Sequence, residues 1–210
     1  MPRFLVVLDV DSTLIEDEVI ELLAAEAGSL RQVAEITDRA MNGEIDFALS
    51  LRERAATLAG LPTSVFDRVR AAVQVTSGVP EMITAVHAAG GRVGVVSGGF
   101  AEIVGPLADE LGLDYWRANR LESADGVLTG GLDGPIIDAD AKAVALAEWA
   151  ADFAPDATIA VGDGANDLTM MGVADLSIGF DAKAPVRAAA DVALSVRDLR
   201  QLLPLLGLRG

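Results

Sequence analysis

Two aspartates, Asp9 and Asp11, directly follow a short apolar run near the amino terminus. In extended backbone, residues two apart carry their side chains on the same side, so these two carboxylates lie close together. Like charges at that distance repel, and either a raised pKa of one carboxyl group or a bound cation relieves the repulsion. Alone, the pair is equally typical of a turn or of a helix N-cap, where aspartate is common.

A second acidic pair, Asp163 and Asp167, stands in the segment Gly162–Asp167 with the sequence GDGAND. The chain has no cysteine and one histidine, so a cluster of these four carboxylates would offer only oxygen ligands, which suits Mg²⁺. The glycines of the segment could also suggest a dinucleotide fingerprint. That interpretation is disfavoured because the third glycine is missing and Asp163 would repel a pyrophosphate.

Two further features could bind an anion. The segment Ser97–Gly99 offers a hydroxyl and backbone N–H groups where a helix is predicted to begin, which is a typical anion site. Lysine occurs only at Lys142 and Lys183, although the chain has 16 lysines and arginines, so each lysine is a rare choice. Lys142 begins a predicted helix, and composition alone does not separate a functional role from an ordinary helix start.

The elements that would position these residues alternate between strand and helix, as short apolar runs and helical periodicity indicate. This alternation predicts right-handed crossovers and an α/β fold, with a Rossmann-like parallel sheet sandwiched by helices. Because ligands bind outside the carboxyl ends of parallel strands, the candidate residues are expected to converge on one crevice. The predicted strands are Phe4–Leu8, Arg92–Val96, Thr158–Val161, Ala174–Ile178 and Asp191–Leu194, and the predicted helices between them are Val79–Ala89, Phe100–Leu111, Ala141–Phe153 and Asn166–Gly172.

Residues 16–75 do not fit this alternation, because they contain no strand candidate. They are too many for a simple crossover, so we interpret them as a helical cap domain inserted into a core of residues 1–15 and 76–210. Within the core, Asp125–Gly126 lies between two β-like runs and predicts a small β-hairpin near residues 115–132. The helices predicted in the block are Asp17–Ala27, Leu30–Asn42, Asp46–Ala59 and Thr63–Val73, separated by glycine-containing breaks.

The composition limits the partners and the location. A net charge of −16 argues against nucleic acid and anionic membranes, both of which bind basic surfaces. No apolar segment approaches the roughly 20 residues needed to span a bilayer, and no signal peptide precedes Asp9, so we expect a cytoplasmic protein. The same acidic field would repel a phosphate, and a phosphorylated substrate would need cations concentrated at its binding site.

Taken together, four features resemble the four motifs of the haloacid dehalogenase superfamily in order and spacing, over nearly the whole chain. They are DVDST at Asp9–Thr13, SGG at Ser97–Gly99, Lys142, and GDGAND at Gly162–Asp167. The helical block is in turn similar to that of superfamily members that hydrolyse phosphoserine, above all in the segment Ser50–Arg54 with the sequence SLRER.

This resemblance implies a magnesium-dependent phosphatase that forms a phospho-aspartyl intermediate. Asp9 would be the nucleophile, and Asp11 would protonate the leaving oxygen and then deprotonate the attacking water. Mg²⁺ would be held by the Asp9 carboxylate, the Asp11 backbone carbonyl and Asp163. Asp167 would orient a water or Lys142 from behind. The implied contacts to the phosphoryl group are Lys142, Ser97, the Gly98 N–H and Asn166.

For the rest of a phosphoserine substrate, the resemblance implies that Glu18 binds the ammonium and that Arg54 binds the carboxylate in a bidentate manner. Met41 and Phe47 would line the site and exclude water, although ordinary helix packing explains both residues equally well. Three alternatives stay open: hydrolysis of another small phosphomonoester, phosphoryl transfer to an alcohol, and phospholigand binding without turnover. We expect a monomer or a homodimer, with no regulatory domain ahead of the first strand.

Overall fold

A seven-stranded sheet forms the centre of the computed structural model, which describes residues 2–209. In order across the sheet, the strands are β4 (Val127–Asp133), β3 (Tyr115–Ala124), β2 (Arg92–Phe100), β1 (Phe4–Leu8), β5 (Ala157–Gly162), β6 (Leu176–Phe180) and β7 (Val192–Leu194). All neighbours are parallel except β3 and β4, which are antiparallel. The predicted α/β fold on a parallel sheet is therefore confirmed. The ends of the predicted core, Met1 and Gly210, lie outside the described residues.

Helices cover both faces of the sheet. They are α1 (Val19–Ala27), α2 (Leu30–Met41), α3 (Phe47–Ala56), α4 (Val65–Ala72), α5 (Val79–Ala88), α6 (Ala101–Leu111), α7 (Ala139–Phe153), α8 (Leu168–Met171), α9 (Ala184–Ala189) and α10 (Leu202–Leu205). The sequence did not predict α9 and α10, because helices of six and four residues are too short to show a helical repeat. Within residues 2–209, no helix is both long and apolar enough to cross a bilayer.

The central strand β1 is buried on both faces, because its side chains alternate between two cores. Val6 and Leu8 belong to the larger core, which includes apolar side chains of α5 and α6. Leu5 and Val7 belong to the smaller core, where Trp149 of α7 packs. A strand buried on both faces reads as a continuous apolar run, which is why the observed bounds of β1 equal the predicted ones.

Strand β2 extends beyond its predicted end at Val96, through the Ser97–Gly99 segment to Phe100. Its pairing with β3 is interrupted there, since the register passes from Val96 opposite Arg117 to Phe100 opposite Asn119. The irregular pairing marks a bulge, and glycines weaken a strand signal in the sequence. The Ser97–Gly99 segment is therefore part of the carboxyl end of β2 and not of a free loop.

The predicted hairpin is present as β3 and β4, with a turn at Asp125 and Gly126. Both turn residues have positive φ, at 50° and 77°, as tight hairpin turns require. The hairpin is not a separate feature of the core, because β3 pairs with β2 in the main sheet. Local patterns do not specify a partner so distant in the chain, so this pairing could not be predicted.

The helices α1–α4, here called the helical block, leave the sheet after β1 and return before α5. Their two connections run antiparallel, with a bridge between Ile15 and Val75 and a hydrogen bond of 2.8 Å from the Glu16 N–H to the Gln74 carbonyl. The block also contacts the hairpin, because the Gly60 N–H donates to the Leu128 carbonyl at 2.9 Å. The block is thus attached to the sheet at two places.

Four strands are each preceded by an aspartate that caps the backbone of the neighbouring strand. Each carboxylate accepts a hydrogen bond from an N–H near the start of that neighbour, at the amino edge of the sheet. The bonds run from Arg3 N–H to Asp156 (2.7 Å), from Val93 N–H to Asp114 (2.9 Å), from Thr158 N–H to Asp175 (2.8 Å) and from Ser177 N–H to Asp191 (2.9 Å). These bonds favour the ionised carboxylate and lower the pKa of Asp175 and Asp191.

Asp175→Ala should lower the free energy of unfolding by about 1 kcal/mol at neutral pH, because an exposed charge-assisted hydrogen bond from Thr158 is lost. Folding lowers the pKa of Asp175 below its ordinary value of 3.8. The carboxylate therefore stabilises the fold above that pH, and its contribution is lost as the pH falls through the folded-state pKa. Urea unfolding at about pH 7 and about pH 3, followed by circular dichroism, measures both effects. Asp38→Ala, at an exposed position on α2, is the matched control; equal losses from Asp175→Ala at both pH values would contradict the pH argument.

Candidate active site

The carboxyl end of β2 and the loops after β1, β5 and β6 surround a small polar cavity of about 110 Å³, together with residues at the start of α1 and on α3. The wall of this cavity includes eight of the twelve residues predicted for the site: Asp9, Asp11, Glu18, Phe47, Arg54, Gly98, Asp163 and Asn166. Four predicted residues are not on this wall: Met41, Ser97, Lys142 and Asp167. The convergence follows from parallel pairing, which brings the carboxyl ends of neighbouring strands to one edge.

Lys142 lies behind the cavity wall, fully buried between two carboxylates. Its ammonium donates to Asp9 at 2.6 Å and to Asp167 at 2.7 Å. Burial lowers the pKa of Lys142, but Asp9 and Asp167 raise it further, so the ammonium stays charged. The pKa of Asp9 is raised well above its ordinary value, because burial and the charge of Asp167 outweigh the lowering effect of Lys142. One cation thus serves two buried carboxylates, and an excess negative charge remains.

Asp11 is held by two donors on opposite sides. Its Oδ1 accepts the Val19 N–H at 2.8 Å, at the start of α1, and its Oδ2 accepts the Ser97 hydroxyl at 3.4 Å. Burial, and next the charge of Glu18, raises the pKa of Asp11 to about 7. A β-carbon on Gly99 would lie 2.8 Å from the Asp11 carboxylate, so only glycine permits this approach of strand to loop. Asp11 can therefore both give and take a proton near neutral pH.

Three carboxylates form a cluster of oxygen ligands. Single oxygens of Asp9, Asp163 and Asp167 lie within 4.8 Å of one another. Asp167 uses one oxygen for Lys142 and the other for the Gly164 N–H at 3.1 Å. Asp9 and Asp163 reach the cavity wall, where their carboxylates are accessible to a ligand. This donor set, all oxygen with excess negative charge, fits a hard divalent cation such as Mg²⁺.

The helical block contributes the opposite wall of the cavity. Glu18 precedes α1 and accepts the Ser12 hydroxyl at 2.8 Å. Arg54 of α3 faces the charges of Glu18 and Asp11, and burial lowers its pKa. Phe47 packs against Gly98, where a β-carbon would lie 3.1 Å from its ring. Carboxylate, guanidinium and phenyl ring thus face the acidic cluster.

Besides Lys142 and Asp167, two more of the predicted residues lie apart from the cavity wall. Met41 is 71% exposed, at the end of α2, and borders an outer cleft with Phe47 and Arg54. Ser97 is fully buried, and its hydroxyl accepts the Gly99 N–H at 2.8 Å while it donates to Asp11. In this structure the Ser97 hydroxyl therefore positions backbone and acid.

Lys183 is a cavity residue to which the sequence did not assign a role. Its ammonium lies 3.5 Å from the Asp163 carboxylate, and its backbone N–H donates to the Asp163 carbonyl at 3.0 Å. The rarity of lysine in the chain was the only available signal, because Lys183 lies outside the four motifs. Two lysines and one arginine thus surround an otherwise acidic site.

The seven-stranded α/β fold places the chain in a family of hydrolases. The chain belongs to the haloacid dehalogenase-like hydrolase family, whose model matches residues 6–172.

Similar proteins include phosphoserine phosphatase SerB2 of Mycobacterium tuberculosis, at 51% identity over 205 residues, and the phosphoserine phosphatase of Streptococcus thermophilus, at 49% over 204 residues. The alignments cover 97% and 96% of this chain, with 50% of the mycobacterial and 95% of the streptococcal protein. The chain therefore spans about half the length of the former and nearly all of the latter. Two solved phosphoserine phosphatase structures, a phospho-aspartyl intermediate analogue and a substrate-bound complex, each match with a TM-score of 0.91 at 39% identity, covering 98% of this chain and 99% of theirs.

Lys142→Met should lower the free energy of unfolding by about 3 kcal/mol at neutral pH, because Asp9 and Asp167 would stay buried without their shared cation. Adding Asp167→Asn removes one of the two charges and should restore part of the loss. Urea unfolding in EDTA measures these changes without help from divalent ions. Lys183→Met, at the other and exposed lysine, is the control and should change stability by less than about 1 kcal/mol. If Lys142→Met left the free energy of unfolding unchanged, the argument that Lys142 stabilises the two buried carboxylates would be contradicted.

Proposed function

We propose that the protein hydrolyses O-phospho-L-serine to L-serine and phosphate through a phospho-aspartyl intermediate, as the last step of serine biosynthesis. The observation that carries this proposal is the pairing of two unlike aspartates at one cavity. Asp9 lies 2.6 Å from a charged lysine, and Asp11 has a pKa of about 7. The similarity to proteins named phosphoserine phosphatase supports the same substrate.

In the first half of the proposed reaction, an oxygen of Asp9 attacks phosphorus and an acyl phosphate forms. The bond between phosphorus and the serine oxygen breaks, and Asp11 transfers its proton to that oxygen. The ammonium of Lys142, hydrogen-bonded to one oxygen of Asp9, partly neutralises the negative charge of the attacking carboxylate and so reduces its repulsion of the phosphoryl group. The backbone N–H of Gly98 and the side chain of Asn166, both at the cavity, are proposed to bind phosphoryl oxygens as charge spreads over them.

In the second half, Asp11 has lost its proton and can take one from water. The resulting hydroxide attacks phosphorus, the bond between phosphorus and the Asp9 oxygen breaks, and phosphate leaves. A single carboxyl group serves both steps because its pKa lies near the working pH. Asp9 returns to its pairing with Lys142.

Mg²⁺ is the proposed cofactor, held by the carboxylates of Asp9 and Asp163 and by the backbone carbonyl of Asp11. When bound, it would supply positive charge to the phosphoryl oxygens and to the buried acids. Asp167, with both oxygens already hydrogen-bonded, is proposed to orient Lys142 and not to bind the ion directly.

The helical block is proposed to act as a cap domain of residues 16–75 that recognises the serine part of the substrate. Glu18 is suited to its ammonium and Arg54 to its carboxylate, while Phe47 excludes water. Met41, exposed at the outer cleft, would contact substrate only if the block moved towards the core. We further propose a cytoplasmic protein that acts as a monomer or homodimer.

Phosphate release from O-phosphoserine tests the catalytic proposal. The wild-type protein should release phosphate with Mg²⁺ and lose that activity in EDTA. Asp9→Asn should reduce turnover by about 10⁴-fold or more, because the amide is not a nucleophile of comparable strength. Acid quenching of the wild-type reaction with ³²P-labelled substrate should trap label on the protein, and Asp9→Asn should trap none. Full turnover by Asp9→Asn would exclude the covalent mechanism.

Arg54→Ala should lower kcat/KM for phosphoserine by about 100-fold, because the substrate carboxylate would lose a partly buried charged partner. Turnover of p-nitrophenyl phosphate, which has no amino-acid group, should change by less than about threefold. Arg52→Ala is a matched control, since this arginine is exposed on the same helix. Equal losses for both substrates in Arg54→Ala would remove the support for amino-acid recognition.

A further inference from the structure

Ser12, the residue after the proposed acid Asp11, has an unusual backbone conformation. Its φ of 57° and ψ of 6° lie in the left-handed region, which serine rarely adopts. A residue in this region persists when its surroundings hold it there. All three polar groups of Ser12 are engaged. Its N–H donates to the Asp17 carbonyl at 3.2 Å, its hydroxyl donates to Glu18 at 2.8 Å, and its carbonyl accepts from Arg197 at 3.2 Å.

Arg197 approaches Ser12 from the far end of the chain, in the segment after β7. Two of the three partners of Ser12, Asp17 and Glu18, belong to the entry of the helical block, so Arg197 is the partner that comes from the sheet side. Its side chain is partly buried, with 33% exposed. Its guanidinium also lies 6.0 Å from the ring centroid of the buried Phe180, where a cation on an aromatic face is favourable.

The same guanidinium pairs with Asp181 at 3.3 Å, in the loop after β6. Asp181 is itself left-handed, with a φ of 43°. Among residues 2–209, four non-glycine residues have positive φ, and Arg197 contacts two of them. Two residues after Asp181 comes Lys183, whose N–H donates to the carbonyl of Asp163. One side chain therefore joins the loop that carries Asp11 to the loop that lies against Asp163.

We propose that Arg197 is a positioning residue that fixes Ser12 in its left-handed conformation and thereby aims the Asp11 carboxyl group at the leaving oxygen. This inference rests on the proposed function only in the role that it gives to Asp11. Arg197 is not among the residues that line the cavity, so its effect on the acid would pass through Ser12. Without its hydrogen bond, Ser12 can relax to a right-handed conformation, and the chain direction at Asp11 changes with it.

The consequence depends on the leaving group. Departure of a serine alkoxide needs a proton from Asp11, whereas p-nitrophenolate leaves as a stable anion. Displacement of the acid therefore slows the first half of the reaction, phosphoryl transfer to Asp9, selectively for alkyl phosphates. The later attack of water on the phosphoenzyme, for which Asp11 is the base, is slowed alike for all substrates and does not enter kcat/KM. A loss of fold or of phosphate binding would instead slow all substrates alike. The dependence of the loss on the leaving group therefore distinguishes a positioning role of Arg197 from a merely structural one.

The test compares kcat/KM of the wild type and of Arg197→Met on phosphoserine, phenyl phosphate and p-nitrophenyl phosphate, each with saturating Mg²⁺, because kcat/KM reports the steps up to departure of the leaving group. Arg197→Met should lower kcat/KM about 30-fold on phosphoserine, by an intermediate factor on phenyl phosphate and by less than about threefold on p-nitrophenyl phosphate. Equal losses on all three substrates, or no loss on any, would overturn the inference. If the wild type releases no phosphate from phosphoserine, the proposed substrate fails, and the ratio of phenyl to p-nitrophenyl phosphate still decides the role of Arg197.

Two further variants keep the result decisive. Arg197→Lys retains the charge and one donor, and it should show a smaller loss with the same dependence on the leaving group, even if Arg197→Met does not fold. A loss from Arg197→Lys that is equal across substrates would overturn the inference. Arg200→Met is the matched control, because this arginine lies three residues along the chain and pairs with Asp198, away from the cavity. Its kcat/KM should stay within about twofold of the wild type on each substrate.

Discussion

The ammonium of Lys142, buried between Asp9 and Asp167, sets the conditions for the rest of the site. Taking three charges out of water is costly, and close hydrogen-bonded contacts at 2.6 and 2.7 Å are needed to offset that cost. Those contacts require α7 to begin at the carboxyl edge of the sheet, directly behind the loops after β1 and β5. Because one cation faces two anions, the cluster keeps an excess negative charge that favours a further cation. The buried lysine and the affinity for a divalent ion therefore have the same electrostatic origin.

The large net negative charge of the chain is compatible with a phosphate site because the two edges of the sheet differ. At the amino edge, Asp156, Asp114, Asp175 and Asp191 each cap a backbone N–H and carry a charge far from the cavity. At the carboxyl edge, Lys142, Lys183 and Arg54 gather around the proposed phosphate and carboxylate positions. Acidic residues thus stabilise the sheet at one end, and at the other end these three cations stand among the acidic side chains of the site, where the proposed anion would bind.

Much of this arrangement could be predicted from the sequence, because it depends on local patterns and one general rule. The apolar run of β1 is continuous, and the rule that parallel strands present their carboxyl ends together brought Asp9, Asp11 and Asp163 to one crevice. What could not be predicted depends on contacts between distant segments. The pairing of β3 with β2 and the approach of Lys183 to Asp163 are examples, since no periodicity encodes them. The exposure of Met41 likewise reflects the position of α2, which helical periodicity does not specify.

Ser12 is the point at which the two sides of the site meet. Its hydroxyl contacts Glu18, on the side proposed to recognise the amino acid, and its backbone continues directly from Asp11, on the catalytic side. The first bond depends on the helical block and the contact with Arg197 depends on the sheet, so the conformation of Ser12 responds to both. Under the proposed function, the substrate ammonium and the Ser12 hydroxyl would share the Glu18 carboxylate, of which Ser12 occupies one oxygen. The proposed recognition of the ammonium and the proposed orientation of the acid would therefore be coupled through one residue, Ser12, which Arg197 holds from the sheet side.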